Sequence, residues 1–219
     1  MRIEIWSDVL CPFCYIGKRH LELALAGSTH AADAQIAWKS FQLDPAAPRF
    51  PQMTNAERLA KKYGRDLAWA SEMHRDVTAR AARVGIHFDL ARAVPTNSFD
   101  AHRLIHLAAA SGLQDSAEER LFAAHFTEGR NIGDHVELQA IGHAIGLDRH
   151  AVSELLAGDR FAEDVRQESA EARAFGVRGV PFFLFDRHHA ISGAQPIEVF
   201  LEALRQPPAS IQSNAETPS

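Results

Sequence analysis

Cys11 and Cys14 are the only cysteines in the chain, and Pro12 and Phe13 separate them. Two thiols at this spacing are typical of a structural disulfide, of part of a zinc site, or of a pair that exchanges between dithiol and disulfide. A disulfide here would close a very short loop and would therefore restrict the unfolded chain little. A structural zinc site normally needs four ligands, and the sequence has no second cysteine pair. The spacing therefore favours a redox-active pair.

The surrounding residues predict different roles for the two thiols. Residues 2–8 have the pattern of a strand, and residues 12–26 have the period of a helix with Pro12 in its first turn. Cys11 would then lie at the helix N-terminus, where unpaired backbone N–H groups stabilise a thiolate. Cys14, one turn further along, should be more buried. We therefore expect Cys11 to be the attacking sulfur and Cys14 the resolving one.

The elements that must position this pair follow the order β–α–β, a long helical block, then β–β–α. Strand patterns cover residues 2–8, 35–43, 181–185 and 190–192, whereas helical periodicity dominates from residue 54 to about 175 and returns at 196–204. We expect an α/β fold with a large all-helical inserted domain. The predicted units are a discontinuous sheet domain (1–44 and 166–206), a helical insertion (45–165) and a flexible C-terminal tail (207–219).

Composition excludes several classes of function. The chain has 219 residues, is 46% hydrophobic and carries a formal net charge of −5, which disfavours nucleic-acid and anionic-membrane partners. No apolar run approaches the roughly 18 residues that a membrane-spanning helix needs. Glu4 and Asp8 interrupt the region where a secretory signal would be apolar, so we expect a cytoplasmic protein.

Six segments resemble the DsbA family of thioredoxin-fold proteins, and in particular its FrnE-like cytoplasmic branch, and they follow one another in the order typical of that family. They are SDVLCPFCYIGKRHLELAL, FQLDP, PTNSFDAHRLIHLA, LFAAHFTEGRNIGD, GVRGVPFFLF and ISGAQPIEVFLEAL. The resemblance implies a thioredoxin-like fold, with a mixed central sheet flanked by helices, and a catalytic dithiol at Cys11 and Cys14. It also implies a cis-proline at Pro181, in a loop that lies against the C-x-x-C helix.

The activity that the resemblance implies is thiol–disulfide exchange through a mixed disulfide with cysteine-containing peptides or small thiols. The backbone of Val180 would pair with an extended substrate, and Phe13 and Phe182 would supply apolar contacts. We expect no required cofactor and no metal, glutathione as a redox partner, and a monomer or homodimer. Phe13 stands where periplasmic relatives typically have histidine, so we expect a less oxidising disulfide.

Two other functions fit part of the pattern. Glutathione-dependent isomerases and transferases of the 2-hydroxychromene-2-carboxylate isomerase and kappa classes share the inserted helices, and typically have serine in place of Cys11. In that case the N–H groups of Gly193, Ala194 and Gln195 would bind a carboxylate of glutathione. The third candidate function is that of a peptide-binding chaperone that catalyses no reaction.

Overall fold

The structure, a computed structural model, describes residues 1–29 and 34–205. Four strands and nine helices lie in this part of the chain. In order they are β1 (Arg2–Ser7), α1 (Pro12–Ala26), β2 (Gln35–Ser40), α2 (Asn55–Tyr63), α3 (Leu67–Ala82), α4 (Phe99–Ala109), α5 (Gln114–Phe126), α6 (His135–Ala144), α7 (Arg149–Ala157), α8 (Ala162–Ala174), β3 (Phe182–Phe185), β4 (His189–Ser192) and α9 (Ile197–Arg205). The predicted tail, 207–219, lies outside the described residues.

The strands form one mixed sheet in the order β2–β1–β3–β4. β1 runs parallel to β2 and antiparallel to β3, so that Ile5 lies between Trp38 and Phe183. β3 and β4 form an antiparallel hairpin. α1 and α9 cover one face of this sheet through an apolar cluster that includes Ile5, Phe183 and Phe200. The predicted α/β thioredoxin-like fold is confirmed.

The helices α2–α8 lie between β2 and β3 in the chain and contain a second apolar cluster. This cluster reaches the start of α1, where the ring of Tyr15 stacks on that of Phe122 with centroids 4.8 Å apart, and it includes both cysteines. The helical region therefore packs directly against the candidate redox site. α8 begins at Ala162 and packs on β2, so the predicted boundary at 165/166 falls inside a helix. The division into domains stays a prediction.

The strand predicted over 35–43 is shorter in the structure and ends at Ser40. Phe41 N–H still donates to the Ser7 carbonyl (3.0 Å), but Leu43 N–H donates to the Asp8 carboxylate instead (2.8 Å). This side-chain contact replaces the strand pairing that the apolar pattern predicts. Within the described ranges, no helix combines the length and apolarity required to span a membrane.

Candidate active site

Cys11 is the N-cap residue of α1, and Pro12 is the first residue of the helix, as the sequence predicts. The Cys11 N–H donates to the Asp8 carbonyl (2.8 Å), and the Cys11 carbonyl accepts from Cys14 N–H (3.0 Å). Only 4% of Cys11 is exposed, and its Sγ lies 3.4 Å from the Val180 carbonyl oxygen. The sulfur is therefore placed at the N-terminus of the helix and faces the loop before β3.

Cys14 lies one helical turn deeper and is fully buried. Burial raises the pKa of the Cys14 thiol well above its usual value, and the adjacent Cys11 raises it further. The backbone of Asp8 and the hydroxyl of Ser7 act in the opposite direction without overcoming burial. The inner sulfur is thus held as a thiol, and Cys11 is the less deeply buried of the two cysteines. The attacking and resolving roles of the two cysteines stay a prediction.

The loop before β3 brings residues from the far end of the sequence to the dithiol. The Val180–Pro181 peptide bond is cis, and Pro181 packs against α1. Gly17 permits this approach, because a Cβ there would lie 3.0 Å from Pro181 Cγ and 3.1 Å from Phe183 Cζ. Sequence reasoning missed Gly17, since nothing near it in the chain indicates a contact with residue 181.

The loop between β4 and α9 lies against the Pro181 loop. Gly193, with a φ of +81°, donates its N–H to the Pro181 carbonyl (2.8 Å), and Gln195 N–H donates to the Gly193 carbonyl (2.9 Å). These two N–H groups therefore stabilise the tight turn and its contact with the Pro181 loop. The carboxylate contact of Gly193, Ala194 and Gln195 stays a prediction.

A cleft of about 620 Å³ lies between α1, α3 and the start of α9. Its lining includes Phe13, which is 36% exposed, Ala194, Arg80 of α3, and Arg83, which follows α3. Phe13 is therefore accessible from the cleft, and its contact with a substrate stays a prediction. The Phe182 side chain instead packs on the other face of the sheet, edge-on against Trp6 at 6.0 Å. Among the described residues, no group of three or more His, Cys, Asp or Glu side chains is arranged to hold a metal ion.

Comparison with known proteins identifies the family. The DSBA-like thioredoxin domain matches residues 2–205, nearly the whole of the described chain. The chain belongs to this family. A curated relative, the uncharacterized protein YwbO of Bacillus subtilis, is 27% identical over 206 residues, which cover 93% of this chain and 96% of YwbO.

Several solved structures share the fold. A probable DsbA oxidoreductase from Streptomyces coelicolor, SCO1869, superposes with a TM-score of 0.89 at 36% identity, covering 93% of this chain and 88% of SCO1869. A 2-hydroxychromene-2-carboxylate isomerase (TM-score 0.69, 18% identity, 93% and 94% coverage) shares the fold alone. The cytosolic disulfide reductase DsbM of Pseudomonas aeruginosa, in its structure with GSH, also shares the fold alone. It superposes with a TM-score of 0.58 at 21% identity, covering 93% of this chain and 98% of DsbM.

Proposed function

We propose that this DsbA-family protein is a thiol–disulfide oxidoreductase that uses Cys11 and Cys14 as its redox-active pair. The observation that carries the proposal is the placement of the Cys11 Sγ. It lies at the N-terminus of α1, 3.4 Å from the Val180 carbonyl, with Cys14 buried behind it. A helix N-terminus stabilises the thiolate, which is both the nucleophile and the leaving group of disulfide exchange.

In the oxidising direction, a substrate thiolate attacks Cys11 Sγ of the Cys11–Cys14 disulfide. The S–S bond between the cysteines breaks, Cys14 leaves as a thiolate and takes up a proton, and a mixed disulfide forms at Cys11. A second substrate thiolate then attacks the substrate sulfur of that mixed disulfide and releases Cys11 as a thiolate. The substrate gains a disulfide and the enzyme becomes the dithiol. The reducing direction reverses these steps, with the Cys11 thiolate attacking and Cys14 resolving.

The proposed substrates are peptide segments or small molecules that carry a thiol or a disulfide. An extended segment would pair with the backbone at Val180, which lies beside Cys11, and its apolar side chains would contact Phe13 in the cleft. Glutathione is a proposed redox partner, supported by the shared fold of DsbM in its structure with GSH. The chemistry proceeds through the two thiols and requires no cofactor. A cytoplasmic location is part of this proposal, supported by the fold shared with the cytosolic DsbM.

The test is insulin reduction with dithiothreitol, run beside the oxidation of a dithiol peptide by the disulfide form. The expected result is catalysis by the wild type that is lost in Cys11→Ser. Cys14→Ser is the matched control, because it removes one thiol from the same helix but keeps the attacking sulfur. It should lose turnover and still consume one equivalent of a disulfide substrate. Equal activity of the wild type and Cys11→Ser would refute the proposal.

A glutathione-dependent isomerase or transferase is the second candidate, because Phe13 of the C-x-x-C segment and Ala194 both line the 620 Å³ cleft. This function predicts glutathione-dependent turnover of an electrophilic substrate that survives Cys14→Ser. A chaperone without turnover predicts that the double variant, with both cysteines changed to serine, still suppresses aggregation of an unfolded protein. Either result, obtained together with no disulfide exchange by the wild type, would replace the proposed function.

A further inference from the structure

Asp8 carries a fully buried carboxylate in the loop that leads from β1 to Cys11. Its Oδ1 accepts the N–H of Leu10 (3.1 Å), and its Oδ2 accepts the N–H of Leu43 (2.8 Å). The Asp8 carbonyl accepts the N–H of Cys11. One residue therefore holds the backbone on which the attacking cysteine sits and joins it to the segment that follows β2.

The helical region supplies the side chains around this carboxylate. His102 of α4 is 1% exposed, and its Nε2 lies 3.6 Å from Asp8 Oδ1. Within the described residues this Nε2 has no hydrogen-bond partner. Glu118 and His125 of α5 are also buried and interact electrostatically with Asp8. His102 is thus a buried ring of the helical region that lies against the Asp8 carboxylate.

The electrostatics of Asp8 agree with this arrangement. Burial by itself raises the pKa of Asp8, but the contact with His102 and the N–H groups of Leu43 and Leu10 outweigh burial and lower the pKa below its usual value. The carboxylate is therefore ionised at neutral pH, in the loop that leads to Cys11. A buried charge at this position affects the thiolate more than a solvated charge would.

We propose that Asp8 and His102 form a positioning pair, through which the helical region holds the Cys11 loop and adjusts the balance between dithiol and disulfide. The proposal rests on the proposed function. The Asp8 carboxylate repels a thiolate and so favours the disulfide. The imidazole of His102 offsets that repulsion. The two side chains therefore act on the redox equilibrium in opposite directions, although both hold the same loop.

The test measures the equilibrium between the protein and a glutathione redox buffer, in which protein dithiol and glutathione disulfide give protein disulfide and two glutathione molecules. Asp8→Asn should shift the equilibrium toward the dithiol, because it removes the repelling charge. His102→Leu should shift the equilibrium toward the disulfide, because the carboxylate is then unopposed. We expect shifts of about threefold or more in the equilibrium constant.

Two further variants of α4 complete the experiment. His102→Gln keeps a polar side chain whose amide N–H can point toward the Asp8 carboxylate, and should shift the equilibrium constant less than His102→Leu does. His106→Leu is the matched control, since His106 lies one turn along α4 but faces Glu168 and Ser40. It should leave the equilibrium constant unchanged. If Asp8→Asn does not fold, the contrast between His102→Leu and His102→Gln still decides the question.

Shifts in the same direction for Asp8→Asn and His102→Leu would show general loosening of the loop and would overturn the proposal. So would unchanged equilibria in both variants, or equal shifts in His102→Gln and His102→Leu. In all these cases the wild type still exchanges disulfides, so the proposed function stands. A wild type that forms no disulfide in the glutathione buffer would instead refute the proposed function and this proposal together.

Discussion

Gly17 lies where α1 approaches the Pro181 loop, and Gly17→Ala tests whether this close approach supports the site. Replacing glycine by alanine inside a helix normally stabilises a protein by about 0.5–1 kcal/mol. Here the added methyl group would lie 3.0 Å from Pro181 Cγ and 3.1 Å from Phe183 Cζ. Forcing an extra carbon into a packed core costs about 1–3 kcal/mol. The clash should exceed the helix propensity, so we expect a net loss of about 1 kcal/mol in the free energy of unfolding.

The variant should also exchange disulfides more slowly, because a shift of Pro181 moves the Val180 carbonyl away from Cys11. Urea denaturation at neutral pH measures the stability, and insulin reduction measures the exchange. Gly27→Ala is the matched control at the end of the same helix, where an added Cβ has ordinary contacts of 3.7 Å and longer. The control should be as stable and as active as the wild type. A Gly17→Ala variant that is as stable as the wild type would refute the reasoning.

Two buried groups of α5 predict how stability changes with pH. Burial lowers the pKa of His125 to about 4, so the stability linked to the neutral ring is full above about pH 6.5 and is lost as the pH falls toward 4. The wild type should therefore lose about 2 kcal/mol in the free energy of unfolding between pH 7 and pH 4.5, and His125→Leu should abolish this loss. His150→Leu, which changes an exposed ring, should keep the loss. Urea denaturation that shows the same pH dependence for the two variants would contradict this. Burial raises the pKa of Glu118 well above its usual value, although the charge of Lys18 lowers it. The stability that the neutral carboxyl contributes is therefore lost as the pH rises through this raised pKa. Glu118→Gln should unfold at higher urea concentration than the wild type at pH 8 and at a similar concentration at pH 4; a lower midpoint at pH 8 would contradict this.

The local part of the site could be predicted from the sequence because its signals are local. Pro12 and the change of period place Cys11 at a helix start, and the structure gives α1 the predicted bounds, Pro12–Ala26. The loop at Pro181 needed the family resemblance, because proline at the start of a strand has no distinctive local signal. Its contact with Gly17 joins residues that are far apart in the chain. Such a contact depends on the packing of α1 against the sheet, and periodicity carries no information about it.

Other features could not be predicted because distant polar groups compete for the same partners. Leu43 continues an apolar strand pattern, yet its N–H binds the Asp8 carboxylate and the strand ends earlier. Gly193 N–H donates to the Pro181 carbonyl, and Gln195 N–H donates to the Gly193 carbonyl. His102 has the spacing of an ordinary helix residue, and only the fold places it beside Asp8.

Trapping the mixed disulfide tests the central claim most directly. Cys14→Ser keeps the attacking sulfur and removes the resolving one, so incubation with a peptide disulfide should give a single covalent adduct at Cys11. Peptide mapping by mass spectrometry locates the adduct, and Cys11→Ser treated in the same way should give little or none, because Cys14 is fully buried. Equal adduct formation on Cys14 in Cys11→Ser, or no adduct on Cys11 in Cys14→Ser, would contradict the assignment of the attacking cysteine.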